Sequence, residues 1–312
     1  MAGIKPKNFI IGIDLGGTNL KAGLVDLNYK IRYRYNLATR RYIQKEGLIS
    51  AIIYCVNKII QDNDLRTDEI GAIGIGLPGP VDPKNGIVHF LPNIPGWRRV
   101  RLKKILQNKL KLPVFLDNDV KLIALAEQKL GSAAGFKNSL CITLGTGVGG
   151  GLILEGSLYR GLDNAAGEIG HLPINEFGPR CNCGGRACLE SYIGNKAILR
   201  RARREFGSGI SLERLSKLAA GGNKKARRFW SKVAGHLGVA LAGVVNLLNL
   251  DAVIIGGGVS GAGKILFDTV RKTIRIRAMS VQAGRVKVLR AKLGSDAGLI
   301  GAAILAREGL AR

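Results

Sequence analysis

Acidic residues are scarce in this chain. Across 312 residues there are 22 Asp and Glu against 48 Lys and Arg, a formal net charge of +26. Such an excess invites a nucleic-acid reading, but aromatic residues are scarce too, at 5%. The basic stretches Arg32 to Arg41, Arg98 to Lys111, Arg200 to Arg204, Lys224 to Arg228 and Arg271 to Arg277 are scattered, and beyond Tyr33 and Tyr35 in the first they carry no interleaved rings on which bases could stack. They read as solvated faces, and nucleic acid is not an expected partner. Long apolar runs are missing as well. Phe9-Ile-Ile-Gly-Ile13 stops at Asp14, too soon for the core of a signal peptide, and no run approaches the roughly 20 residues that span a bilayer. The expectation is a cytoplasmic protein with no membrane partner. Cysteines number five, an odd count, and three of them crowd into residues 181–188, which excludes the even, spread-out framework of a secreted disulfide protein. Disorder is not at issue, because 46% of residues are hydrophobic.

Glycine is what the chain has in plenty, 44 residues. Two turns share a pattern, Leu15-Gly16-Gly17-Thr18 and Leu144-Gly145-Thr146-Gly147, each between apolar strands, and Gly256-Gly257-Gly258 follows a third strand. The pairing reads as a weak internal repeat, one strand–turn–strand opening each of two domains. Strands are expected at 9–15, 20–26, 70–77, 113–116, 140–144, 151–155, 252–255 and 285–290. Helical periodicity marks 46–62, 98–110, 120–130, 190–205, 211–219, 223–248, 261–277 and 295–308. This is an α/β chain. Consecutive glycine amides suit phosphate binding, each turn adds a hydroxyl (Thr18, Thr146), and Asp14 before the first turn is a natural partner for Mg²⁺.

Two familiar patterns carry no weight. Gly74-Ile-Gly76-Leu-Pro-Gly79 fits a dinucleotide fingerprint, but turn chemistry (Pro80, Pro83, Asn85-Gly86) follows where a helix must open. Gly258 to Lys264 nearly completes a P-loop, but Ile265 has no hydroxyl for Mg²⁺. The strongest local signal is His171-x9-Cys181-x-Cys183-x4-Cys188, the Cys3His donor set of a closed structural Zn²⁺ site. Four protein ligands leave no position for a reactive water, so the metal would shape the loop from Pro173 to Ala187. Glu168 and Glu190 flank the cluster as acceptors suited to sugar hydroxyls.

In order along the chain, Asp14-Leu-Gly-Gly-Thr, Gly76-Leu-Pro-Gly-Pro-Val-Asp82, Asn118-Asp119, Leu144-Gly-Thr-Gly-Val-Gly-Gly150, Glu168-Ile-Gly-His171, the cysteine string and Ile255-Gly-Gly-Gly258 together resemble the ROK family of sugar kinases and sugar-responsive repressors. The resemblance runs from about residue 9 to 305. It implies the two-domain actin-like ATPase (ribonuclease H-like) fold with an interdomain cleft. The expected domains are 1–117 plus 296–312, closed by the C-terminal helix, and 118–295. The segment through Pro92-Asn93-Ile-Pro-Gly-Trp97 is most similar to bacterial ATP-dependent glucokinases. By that resemblance Asp119 is the catalytic base, and Asn93, Asn118, Glu168, His171 and Glu190 contact the sugar. Asp14, Gly16, Gly17, Thr18, Thr146, Gly147, Gly257 and Gly258 hold ATP and Mg²⁺, and His171, Cys181, Cys183 and Cys188 hold zinc. The implied reaction is phosphoryl transfer to O6 of a hexose, with glucose first and N-acetylmannosamine, N-acetylglucosamine, fructose or mannose as alternatives. Polyphosphate is an alternative donor, and a non-catalytic sugar-sensing or nucleic-acid-binding regulator is the reading from another class. The family's repressors carry an N-terminal helix-turn-helix, for which a phosphate strand starting near residue 9 leaves no room. The family also implies a homodimer or homotetramer. Two residues depart from its pattern: Lys121 stands where Asn is frequent, near the cleft, and Ala187 where Gly is usual.

Overall fold

Near-continuous apolar runs make the first strands. In the computed structural model, which describes residues 8–16, 19–39, 42, 44–92 and 94–311, the chain divides into two units: Met1–Ala126 with Arg160–Ala165 and Ser295–Arg312, and Glu127–Tyr159 with Ala166–Gly294. The chain thus opens with β1 (Phe9–Leu15), β2 (Asn19–Asp26), β3 (Ile31–Ala38), α1 (Lys45–Asp62), β4 (Ile70–Leu77), the short β5 (Val81–Asp82) and β6 (Ile87–Val88), α2 (Leu102–Leu110), β7 (Val114–Asn118) and α3 (Asp119–Leu130). The sheet order is β3-β2-β1-β4-β7, antiparallel at its β1–β2–β3 end and parallel through β4 and β7. One face of this sheet packs Ile11, Ile13, Ile73 and Ile75 against the apolar stripes of α1 and α2. β3 is an element that its sequence conceals. Its residues alternate between half-buried and exposed, so Arg32 and Arg34 take outward positions of a strand.

The second unit repeats the plan. It has β8 (Ser139–Leu144), β9 (Val148–Leu154), β10 (Ser157–Tyr159), α4 (Glu190–Ile193), α5 (Asn195–Phe206), α6 (Leu212–Ala220), α7 (Lys224–Leu248), β11 (Ala252–Gly256), α8 (Lys264–Arg277), α9 (Ser280–Arg285) and β12 (Lys287–Arg290). Its order, β10-β9-β8-β11-β12, matches the first sheet strand for strand, with the same antiparallel and parallel pairings. The repeat visible as two glycine turns is therefore a repeat of whole sheets. The helix expected over 190–205 is interrupted at Gly194, whose backbone is extended (φ −67°, ψ 148°). α7 is, by length and composition, apolar enough to cross a membrane, but Phe229, Trp230, Val233, Leu237, Leu241 and Val245 form part of the buried core of this unit.

The last helix, α10 (Ala297–Leu310), returns to the first unit and covers the other face of its sheet, with Leu299, Ala303 and Ala306 on Ile10, Val25 and Ala72. This contact explains the glycine pattern in β4. A Cβ on Gly74 would lie 1.8 Å from the carbonyl oxygen of Ala302, so backbone meets backbone there. Gly74 serves helix–sheet packing, and the β5–β6 hairpin, not a helix, follows it.

Two segments that the sequence reading assigns to the second domain group with the first unit. Residues 118–126 do so because α10 lies on α3, the Cβ position of Gly301 being 1.9 Å from the Leu122 carbonyl. Residues 160–165 do so because Arg160 binds Asp117 and Lys121 donates to the Asn164 carbonyl.

Candidate active site and metal cluster

The first unit places Asp14 at the end of β1, opposite Lys21 on β2. Burial raises the Asp14 carboxyl above the usual range, and the Lys21 ammonium offsets part of that rise. Its neighbour is the first turn of α10, where the Cβ position of Gly298 lies 2.5 Å from Asp14 Cγ. A residue without a side chain at 298 gives the carboxylate its room, beside the positive end of a 14-residue helix. Gly16 N–H donates to the Asn19 carbonyl at 2.9 Å and closes the turn. Gly17 and Thr18, and likewise Asn93, lie outside the described residues.

Asn118 and Asp119 stand where β7 ends and α3 begins. Asn118 Oδ1 accepts from the N–H groups of Val120 (3.0 Å) and Lys121 (3.2 Å), the work of a helix N-cap, while Nδ2 donates to the Gly79 carbonyl (3.2 Å). Its amide oxygen is thus committed to α3. Asp119 Oδ1 accepts from Val120 N–H at 2.9 Å. Behind this turn Asp117 is buried, and Arg160 Nε (3.0 Å) and Nη2 (2.7 Å) both donate to its Oδ2. Asp117 Oδ1 accepts from Asn118 N–H at 2.8 Å. Sequence reasoning missed both residues of this pair. The run Asp117-Asn118-Asp119 carried a signal for one, but nothing pointed to Arg160, 43 residues further on. Lys121 is buried and its ammonium donates to the Asn164 carbonyl, so it ties the 160–165 segment to α3.

The second unit holds the other residues. Gly145 N–H donates to the Gly147 carbonyl (2.9 Å) in the β8–β9 turn, with Thr146 exposed at its tip. Glu190, the first residue of α4, reaches back to accept from Val148 N–H at 2.8 Å. Gly257 turns the chain after β11 with φ +83°, and Gly258 begins a 3-10 turn over Gly258–Ala262. The near P-loop is therefore a glycine turn, a short 3-10 turn and then α8. Glu168 is exposed, and its Oε2 lies 4.0 Å from His171 Nε2.

His171, Cys181, Cys183 and Cys188 converge, with one ligand atom from each inside a span of 4.8 Å. Cys181 Sγ is 3.8 Å from His171 Nδ1, and Cys183 Sγ is 3.6 Å from Cys188 Sγ. Thiolates at ~2.3 Å from a tetrahedral Zn²⁺ are about 3.8 Å apart, so the spacing fits that ion and is far too long for a disulfide. Burial pushes the Cys181 thiol up, but hydrogen bonds from Cys183, His171 and Ser191 outweigh it and bring it down to about 7. Burial and the neighbouring thiols push Cys188 up to about 12. The loop is tied by Cys181 N–H to the Gly185 carbonyl (2.8 Å) and Ala187 N–H to the Pro179 carbonyl (2.9 Å). Ala187 takes φ +56°, the left-handed conformation in which glycine is at ease, so the substitution preserves the turn under strain.

A family model described as the ROK family matches residues 10–309. A glucokinase of Thermotoga maritima is 35% identical over 97% of this chain and 98% of its own length. The xylose repressor of Bacillus subtilis is 30% identical, covering 95% of this chain and 76% of the repressor. Among solved structures, a ROK family glucokinase from Streptomyces griseus in complex with glucose and AMPPNP superposes with a TM-score of 0.82 at 35% identity, covering 96% of this chain and all of that one. The chain has their two-domain actin-like ATPase fold. It belongs to the ROK family.

Proposed function

We propose that this protein is a sugar kinase that transfers the γ-phosphoryl group of ATP to O6 of a hexose, with glucose as substrate. The observation that carries the reading is the Asn118–Asp119 junction, a carboxylate fixed at the start of a helix whose backing charge, Asp117, is already neutralised by Arg160. Kinship with glucokinases over nearly the whole length supports it.

In this mechanism Asp119 accepts the O6 proton as the O6–Pγ bond forms and the bond from Pγ to the bridging β,γ-oxygen breaks, leaving ADP. The transition state is loose, so alignment and charge neutralisation provide most of the acceleration. Gly16, Gly17 and Thr18, with Thr146, Gly147, Gly257 and Gly258, would donate to the phosphates. Asp14 would hold Mg²⁺, which neutralises phosphate charge when bound. Asn93, Asn118, Glu168, His171 and Glu190 would orient the sugar. Glu190 is held by Val148 N–H, which leaves its other oxygen for a hydroxyl. Zn²⁺ in the Cys3His cluster would be structural, turning His171 so that Nδ1 meets the metal and Nε2 faces Glu168.

The test is coupled ADP release across glucose, mannose, fructose, N-acetylglucosamine and N-acetylmannosamine with ATP, with polyphosphate as the alternative donor read by direct assay of the phosphorylated sugar. Glucose with ATP should give the highest kcat/KM. No turnover with any of these sugars and either donor would overturn the reading in favour of a sugar-sensing regulator.

A further inference from the structure

Helices α5, α7 and α8 of the second unit form an open groove of about 520 Å³ that the phosphoryl-transfer reading leaves without a task. Arg201, Lys232, His236 and Arg277 line it, and no carboxylate does. Lys232 and His236 stand one helical turn apart on α7 and so share a face. Arg277 ends α8, and Arg201 comes across from α5. The apolar part of the wall is Val239 and Ile276.

Arg201 is the informative residue. It is half-buried, its Nη2 donates to the Tyr192 carbonyl, and its guanidinium lies 6.0 Å from the Phe229 ring. Its Nε is buried with no hydrogen-bond partner among the described residues. Burial lowers the Arg201 pKa, with Glu205 the one carboxylate whose charge opposes that. Burial, and then the Arg201 charge, also hold the His236 imidazole below its ordinary pKa of 6.5. Arg201 and His236 are half-buried while Lys232 and Arg277 are exposed at the rim, and a part-buried guanidinium with an orphaned N–H is costly unless an anion meets it there.

We propose that this groove binds a small organic phosphate, at a site separate from the nucleotide turns. The guanidinium N–H groups and the Lys232 ammonium match the oxygens of a phosphate monoester, and Val239 and Ile276 accept its organic part. The site reaches the sugar residues of the same unit. Tyr192, whose carbonyl Arg201 holds, belongs to α4 with Glu190, meets the His236 ring at a 40° tilt with centroids 4.7 Å apart, and accepts from Asn175 of the cysteine loop at 3.1 Å. An occupied groove would therefore fix α4 and the loop together.

The test is a titration of the full chain, with isotope-labelled histidine, by phenyl phosphate and by inorganic phosphate, at constant ionic strength balanced with chloride. Only three histidines are present, so His236 can be followed alone. The His236 resonance should shift saturably, with phenyl phosphate binding more tightly than inorganic phosphate. Removing the exposed charges in Lys232→Ala/Arg277→Ala should weaken binding by about tenfold or more, the loss of at least one charge-assisted bond. Lys104→Ala/Lys109→Ala on α2 should leave it unchanged. Equal affinity in the groove variant, or the same shift with chloride alone, would overturn the site. No turnover enters the measurement, so its outcome is independent of the kinase reading.

Discussion

Asp117 carries more of the structure than its place in a three-residue polar run suggests. It is fully buried, and its two oxygens are shared between the Arg160 fork and the Asn118 N–H, so it fixes the turn from which Asp119 projects. Removing its charge strands a guanidinium and loosens that turn. Asp117→Asn should cost about 1–3 kcal/mol of stability, measured by urea denaturation, because the part-buried Arg160 guanidinium loses the charge that it binds. The pair illustrates what sequence conceals. The Cys3His set was legible because its spacing is local, and Asn118 and Asp119 were singled out by family resemblance, whereas Arg160 becomes visible only when its segment lies against β7. The N-cap role of Asn118 was legible in principle, an Asn just ahead of a helical stretch, yet it is the structure that shows its oxygen spent on α3. In the cysteine cluster, Cys183→Ser should lower the metal content from about one zinc per chain to a small fraction of that, and lower the melting temperature. Elemental analysis of the purified variant checks this, and retention of a full equivalent would remove Cys183 from the ligand set.

In the sugar-kinase reading α10 serves fold and chemistry at once. It lies on the backbone of β1 and β4 through glycines, and its first turn faces Asp14. A methyl at Gly298 must displace the Asp14 carboxylate. Gly298→Ala should therefore raise the Mg²⁺ requirement and lower turnover by about tenfold or more, at a stability cost of only about 1–3 kcal/mol. Steady-state kinetics over a Mg²⁺ series separates this from simple unfolding. Most elements could be read from the pattern of their apolar residues, a near-continuous run in β1 and helical spacing in α7. The failures have identifiable causes. β3 is half-buried and arginine-rich, so its period-2 pattern was hidden by charge. The break at Gly194 follows from an extended backbone between α4 and α5, which carry similar apolar residues on both sides.

For the whole molecule, the repeated sheet order accounts for the paired glycine turns, and the +26 charge remains a property of the surface rather than of one site. Few of those cations have a task in the sugar-kinase reading; the groove of α5, α7 and α8 gives one to Arg201, Lys232 and Arg277. Asp119 as the base is the centre of the proposed reaction. The most direct measurement is kcat of Asp119→Asn with glucose and ATP, alongside glucose affinity by calorimetry on the same preparation. We expect turnover to fall by more than about a hundredfold while glucose binds nearly as before, since only proton acceptance is lost. Turnover above about a hundredth of the wild-type rate, with binding intact, would contradict that role.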